Sequence, residues 1–404
     1  MNTKLRSTLA LVAVAAFALL ALRPPMHAAE PAPAADAPVL HEWGVFGTYD
    51  DVELANADMK AEWDALPKFV NGRLPGRLTS YHGPVAKPVI YVHAGKPTTF
   101  DLTIGFPGGA AAVWWPAAAK PTMQESSDDL QWKVHAGAMP EGRGNPKLRD
   151  VPADHWMSTL RKSKASPVFS AGSYTNAFPG QVWDREQFLY YDGVLPAVRA
   201  ITIVEADGKV TVSNTSTFAV HDVYVIDRRT GRTKAATIDT LGAGAKATVS
   251  PADADAAQLT TDLAARVKAA GLFDEEADHL AKIWRKEFFE GEGLTAVFRL
   301  PQSEYDKRLP AKVTPAPKAF VRVGLVHYKW TDPTLAAKVA ELVKQFDADE
   351  FRKREAAEKA LAAMGKPALA HLWKQRAAAQ SAEVRSRLTV LLSKFEADLG
   401  VRKP

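Results

Sequence analysis

Cysteine is absent from all 404 residues. Disulfides, thiolate chemistry and lipid attachment through an N-terminal cysteine are therefore excluded, and the fold must be held by its core. Hydrophobic runs long enough to span a bilayer are also missing where one would first look. The apolar stretch 9–22 holds 14 residues, short of the roughly 20 a spanning helix needs. Charge of one sign is not concentrated either. The formal net charge is +5, but residues 1–29 carry +3, residues 334–404 carry 14 basic against 9 acidic groups, and the middle is slightly acidic. Basic residues in the tail alternate with Glu and Asp, unlike the dense basic face of a nucleic-acid binder. No nucleic-acid partner is expected.

Catalytic signatures are scarce too. His41-Glu42 is followed by Trp-Gly-Val rather than completing His-Glu-x-x-His, so a zinc hydrolase motif is lacking. No Gly-x-Ser-x-Gly or Gly-x-x-x-x-Gly-Lys occurs, and Gly242-Ala-Gly244 reads as a turn. No metal or other cofactor is expected.

What is present is a soluble globular composition, 47% apolar and 24% charged, at a length that suggests two to four domains of roughly 100–200 residues each. Lys4 and Arg6, the apolar run and a small-residue exit near Ala29 fit a secretory signal peptide over 1–29. An Ala/Pro-rich tether over 30–38 follows. The mature chain is expected to be periplasmic or secreted, with no transmembrane helix after cleavage.

Period-two alternation at Phe100, Leu102 and Ile104, with strand-like runs at 88–93 and 130–135, predicts a β-rich N-terminal domain over 39–198. Its stretch 136–180, rich in Gly, Pro and Ser, is an irregular excursion. Short strands at regular intervals from 200 to 250, returning at 295–300 and 320–328, predict an Ig-like β-sandwich over 199–330. A helical insert occupies 256–290, where Ala277, Leu280, Ala281, Trp284 and Phe288 form one apolar stripe. Amphipathic segments over 334–404 resemble HEAT-like helical repeats. The expected fold class is thus mainly β with α additions: a β-sandwich body, a helical insert and a C-terminal helical module.

Aromatic density marks binding candidates. Trp114-Trp115, Tyr190-Tyr191 and Trp284 either fill the cores or offer flat apolar faces with a polar handle to a sugar or a partner. Neighbours in an extended segment point to opposite faces, so one residue of each pair could face outward. His41 and Trp43 either line a pocket or belong to the first strand. Glu42, Asp192 and Glu290 are candidate catalytic carboxylates, with His41 or His327 as a companion.

These residues carry a resemblance. His41-Glu-Trp-Gly-Val-Phe-Gly47 is similar to the His-Glu-Trp-Gly-Thr-Phe-Thr segment that opens the mature part of a family of exported bacterial proteins without an assigned activity. It departs from that segment at Val45 and Gly47. Lys87-Pro-Val-Ile-Tyr91, Phe188-Leu-Tyr-Tyr191, Trp284 with Phe289-Glu290 and Gly293, and Leu309-Pro310 to Val321-Arg-Val-Gly-Leu325 are similar as well. The resemblance spans 41–328 and implies an exported domain pair, not a reaction. The expected function is binding or scaffolding, with a polysaccharide, an envelope component or a protein as partner. The alternative is an extracytoplasmic hydrolase, metal-assisted or not, built on a carboxylate/His cluster.

Overall fold

Alternation along the first strand sets the architecture: Leu40 and Phe46 enter one apolar core, Trp43 and Val45 enter another. A strand whose two faces are both buried sits in the middle layer of three. The structure is a computed structural model that describes residues 34–72, 78, 82–118, 129–142, 144–172 and 182–399. The expected signal peptide lies outside these residues, as does the start of the tether. All described elements belong to the unit Ala35–Pro404.

The chain begins with β1 (Val39–Tyr49), α1 (Val52–Asp64), β2 (Asn71–Gly72), β3 (His82–His93), β4 (Thr98–Ile104), β5 (Ala110–Trp115) and β6 (Leu130–Ala136). Helix α1 interrupts a stretch expected to be β-rich. It starts where Asp51 caps the backbone N–H of Glu53 at 2.8 Å, satisfying a donor the helix cannot use itself. The irregular excursion contains α2 (Trp156–Leu160) and β7 (Val168–Gly172), followed by β8 (Val182–Glu186) and β9 (Leu189–Pro196). Next come β10 (Ile201–Ala206), β11 (Lys209–Asn214), β12 (Val220–Asp227), β13 (Lys234–Leu241), β14 (Lys246–Val249) and β15 (Ala252–Asp253). Helices α3 (Ala256–Ala269) and α4 (Asp274–Phe289) precede β16 (Leu294–Arg299), α5 (Gln302–Arg308), β17 (Ala311–Thr314) and β18 (Ala319–Trp330). The tail is α6 (Leu335–Lys344), α7 (Phe351–Ala363), α8 (Leu369–Ala378) and α9 (Ala382–Leu399).

A ten-stranded sheet runs β15-β13-β12-β16-β18-β1-β3-β9-β5-β2. Its neighbours are antiparallel except β1 and β18, which run parallel from Val39 opposite Ala319 to Tyr49 opposite Lys329. One face packs against a five-stranded sheet, β17-β4-β6-β7-β8, and a three-stranded sheet, β10-β11-β14. The other face is covered by α1 to α4, whose Trp63, Leu160, Leu263, Leu280 and Phe288 join Trp43 and Val323. The apolar stripe expected on α4 is the buried face of that helix.

The chain is therefore mixed α/β with mostly sheet. The strands of 199–330 do not close on one another as the expected separate Ig-like sandwich. β12, β13, β16 and β18 join the large sheet, while β10, β11 and β14 form the small one. β18 supplies the physical reason. Residues 322–328 are buried without a break, so the strand needs partners at both edges and a layer on both faces. The boundary expected after residue 198 consequently falls within one layered body. The tail helices keep a core of their own, built on Val339, Phe346, Leu361, Leu372 and Leu388.

Candidate functional site: a pocket at the Lys87 bulge

The site starts from an irregularity. The pairing of β3 with β9 shifts register between Val85 and Val89, and the pairing of β1 with β3 shifts between Trp43 and Val45. Lys87 occupies the bulge with φ of 51°, a left-handed conformation that disfavours a residue with a Cβ by roughly 1–2 kcal/mol. Bulges next to functional sites re-aim side chains, and this one is held in place. Asp192 Oδ1 accepts the Lys87 backbone N–H at 2.5 Å. The same carboxylate accepts Trp63 Nε1–H at 3.0 Å and the Tyr190 hydroxyl at 2.8 Å. Lys87 Nζ is thereby turned over the Trp284 ring, 4.6 Å from its centroid, and pairs with Glu62. Trp156 lies farther off, at 6.0 Å.

Around this lysine is a cavity of about 500 Å³ on the helical side of the large sheet, within the range of small-molecule sites. Helix α1 contributes Asp58, Met59, Glu62 and Trp63, four positions that share one helical face. The excursion contributes Asp154, His155 and Trp156, so this irregular stretch forms a wall of the pocket. β18 contributes His327 and Lys329. Lys329 Nζ pairs with Asp58 at 2.6 Å and Glu287 at 3.5 Å.

Burial dominates the electrostatics. It pushes the Asp192 carboxyl up to about 7, against the nearby Lys87 charge and the three donors that hold its ionised form. It pushes His327 well below the usual imidazole range, with Lys329 adding to the effect, and it lowers His155. Both imidazoles have a buried Nε2 without a hydrogen-bond partner. Burial works against the Lys329 charge, but Tyr49, Asp58 and Glu287 overcome it and hold the ammonium well above its usual range.

The expected site residues are dispersed by strand alternation. Asp192 and Trp284 line the pocket. Glu42 faces the other core, fully buried, with Arg322 Nε at 2.6 Å and the Tyr191 and Tyr305 hydroxyls on its second oxygen. Glu290 ends α4 and pairs with Arg285 at 2.8 Å. Glu42, Glu290 and His41 thus do not converge; of the carboxylate/His grouping drawn from the sequence, Asp192 and His327 line the same cavity. Trp43, Trp115, Tyr190 and Tyr191 are completely buried, and Trp114 is partly so. The outward member expected in the tyrosine pair is missing because the sheet is covered on both faces.

His41 has a different setting. The register places Val39 opposite His93 and His41 opposite Tyr91, making His41 and His93 diagonal neighbours on one face. The first turn of α4 lowers Glu276 between them. His41 Nδ1 lies 2.6 Å from one carboxylate oxygen and His93 Nε2 2.7 Å from the other. Burial opposes the Glu276 charge, yet the imidazole hydrogen bonds outweigh it and hold the carboxyl at about 2. Phe273 covers both rings, with centroids at 4.4 and 4.7 Å. These three side chains could hold a metal ion.

Sequence reasoning missed Lys87, Glu62, Asp58, Trp156, Lys329, His93 and Glu276. Two signals were available. A lysine interrupts the apolar run Val85–Val92, and Asp58/Glu62 and Met59/Trp63 repeat at helical spacing.

No family model matches the chain, and no curated protein matches it. Among solved structures it is similar to the yeast delta-COP-I mu-homology domain complexed with a Dsl1 WxWxV peptide. That match has TM-score 0.27 and 9% identity, covering 74% of this chain and 98% of that one. The yeast delta-COP-I mu-homology domain by itself gives TM-score 0.26 and 8% identity over the same shares. Likenesses this faint carry no argument about fold or function. Among the described residues, no helix is long and apolar enough to cross a membrane.

Proposed function

We propose that the protein is an exported binding protein whose pocket takes a neutral or basic saccharide unit of an envelope polysaccharide. The observation that carries this reading is a cavity of about 500 Å³ lined by Trp156 together with the Lys87 ammonium held over Trp284. The half-buried Trp156 indole offers a sugar ring an apolar platform, since the Trp284 ring is taken by Lys87 and Phe288, while the surrounding carboxylates and ammonium groups can hydrogen-bond its hydroxyls. Carboxylates (Asp58, Glu62, Asp154, Asp192, Glu287) outnumber lysines (Lys87, Lys286, Lys329) around the cavity, which disfavours an anionic ligand.

A glycan array probed with the mature chain, followed by titration of the best ligand, tests the reading. Trp156→Ala should weaken binding about tenfold, equivalent to about 1.4 kcal/mol, in a protein that still folds but melts lower for the lost contacts with Tyr190 and Phe188. No retained glycan, or a variant that binds as the wild type does, would refute it. Fractionation with N-terminal sequencing tests export: a leader still attached in the cytosol counts against it.

One observation favours a second reading, hydrolysis of the same ligand. A carboxyl titrating near 7 in a cavity suits a general acid at neutral pH. Release of reducing ends that Asp192→Asn abolishes would support it. The helical-repeat-like tail is assigned a protein partner, for which exposed Phe351 and Val390 are the apolar contacts. A cross-linked partner unaffected by Phe351→Ser together with Val390→Ser would contradict that assignment.

A further inference from the structure

Glu276 differs from the buried Glu42 and Glu186 in what surrounds its carboxylate. Glu42 meets Arg322 at 2.6 Å and Glu186 meets Arg161 at 2.6 Å, both permanent cations. Glu276, 1% exposed, has two imidazoles and the backbone N–H of Phe273 at 2.9 Å. A carboxylate and two imidazoles converging in a dry setting are the donor types a transition metal takes.

Three rigid elements bring the donors together. His41 comes from β1, His93 from the end of β3 and Glu276 from the first turn of α4. One donor atom from each lies within 4.8 Å of the others. Ligands about 2.0–2.2 Å from a tetrahedral zinc ion sit about 3.4 Å apart, so the carboxylate withdraws by roughly 1 Å from each imidazole while donors now up to 4.8 Å apart close by about 1.4 Å. Two imidazoles and one carboxylate form a three-ligand set that leaves a coordination position open, and imidazole selects zinc-like ions over magnesium or calcium. The Phe273 ring lies over both imidazoles, an apolar shell of the kind that limits solvent at metal centres.

We propose that His41 Nδ1, His93 Nε2 and a Glu276 carboxylate oxygen bind a divalent transition metal, with zinc the best-fitting class. The site stands apart from the saccharide pocket. His41 lies four residues from Val45 at the pocket wall, about 13 Å along the strand.

The test uses the tag-free mature chain, treated with chelator and titrated with zinc chloride or cobalt chloride alone. One equivalent should bind, cobalt should show the intense visible bands of a low-coordinate ion, and zinc should raise the melting temperature until EDTA removes it. His93→Gln should weaken binding at least tenfold while leaving saccharide binding intact, which separates failure of this proposal from failure of the pocket reading. A wild type that takes up no metal, or a folded His93→Gln variant that binds it equally well, overturns the assignment. Should that variant not fold, carbethoxylation of His93 in the wild type decides the matter. Protection by zinc supports the site, and unchanged labelling overturns it.

Discussion

The Asp192 carboxylate receives the Lys87 backbone N–H at 2.5 Å, fixing in a left-handed turn the residue whose ammonium reaches the Trp284 ring. A side chain on β9 thus sets the aim of a side chain on β3. In the binding reading Asp192 is a positioning residue for Lys87.

The first prediction concerns pH. The folded Asp192 carboxyl titrates near 7, above its ordinary value of 3.8, so the native state binds its proton more tightly than the unfolded chain does. Between those two values stability falls as pH rises. The wild type should therefore lose stability relative to Asp192→Asn from pH of about 4 to about 7. Melting temperatures of both proteins across that window check it, and a difference that stays constant with pH contradicts the burial of Asp192.

Lys87 allows backbone strain and side-chain function to be separated. Lys87→Gly removes the Cβ that disfavours φ of 51°, whereas Lys87→Ala keeps it and loses the ammonium just the same. The glycine variant should be more stable than the alanine variant by about 1 kcal/mol, and neither should bind the pocket ligand. Urea titrations giving the reverse order would show that the turn is not strained.

Glu42 is expected to act on stability alone. Glu42→Gln leaves the Arg322 guanidinium, 3% exposed, without its buried counter-charge, and breaking such a pair costs about 3–5 kcal/mol. Asp306 at 3.0 Å and the Leu309 carbonyl at 2.6 Å retain part of the balance, which places the loss at the lower end. Denaturation that reports less than about 1 kcal/mol would count against a buried ion pair here.

Gly44 is required by close approach rather than by its backbone angles. A Cβ there would stand 2.9 Å from the Tyr305 hydroxyl and 3.2 Å from the Pro88 Cα, and that hydroxyl is already committed to Glu42. Gly44→Ala should destabilise by about 1–3 kcal/mol through overpacking. A neutral result in thermal melting would mean that Tyr305 can move aside.

Much of the fold was legible where a local pattern has a single structural meaning. The alternation at Phe100, Leu102 and Ile104 became β4, and the apolar stripe from Ala277 to Phe288 became the buried face of α4. Partner choice was not legible, because the pairing of β1 with β18 joins residues 280 apart and alternation says nothing about which strand lies alongside. The site was only half visible for the same reason. Asp192 and Trp284 stood out by type, but Lys87 gains its meaning from a register shift, and His93 and Glu276 from meeting His41.

By itself the sequence settled the absence of thiol chemistry, the mixture of strand and helix, and the alternating contacts of each element, since composition and side-chain period are properties of the chain. Tertiary structure decided which strands lie side by side, which of two adjacent side chains reaches a cavity, and which carboxylates receive a permanent counter-charge. These depend on distances between segments far apart in the chain, and only the packing of the three layers sets such distances.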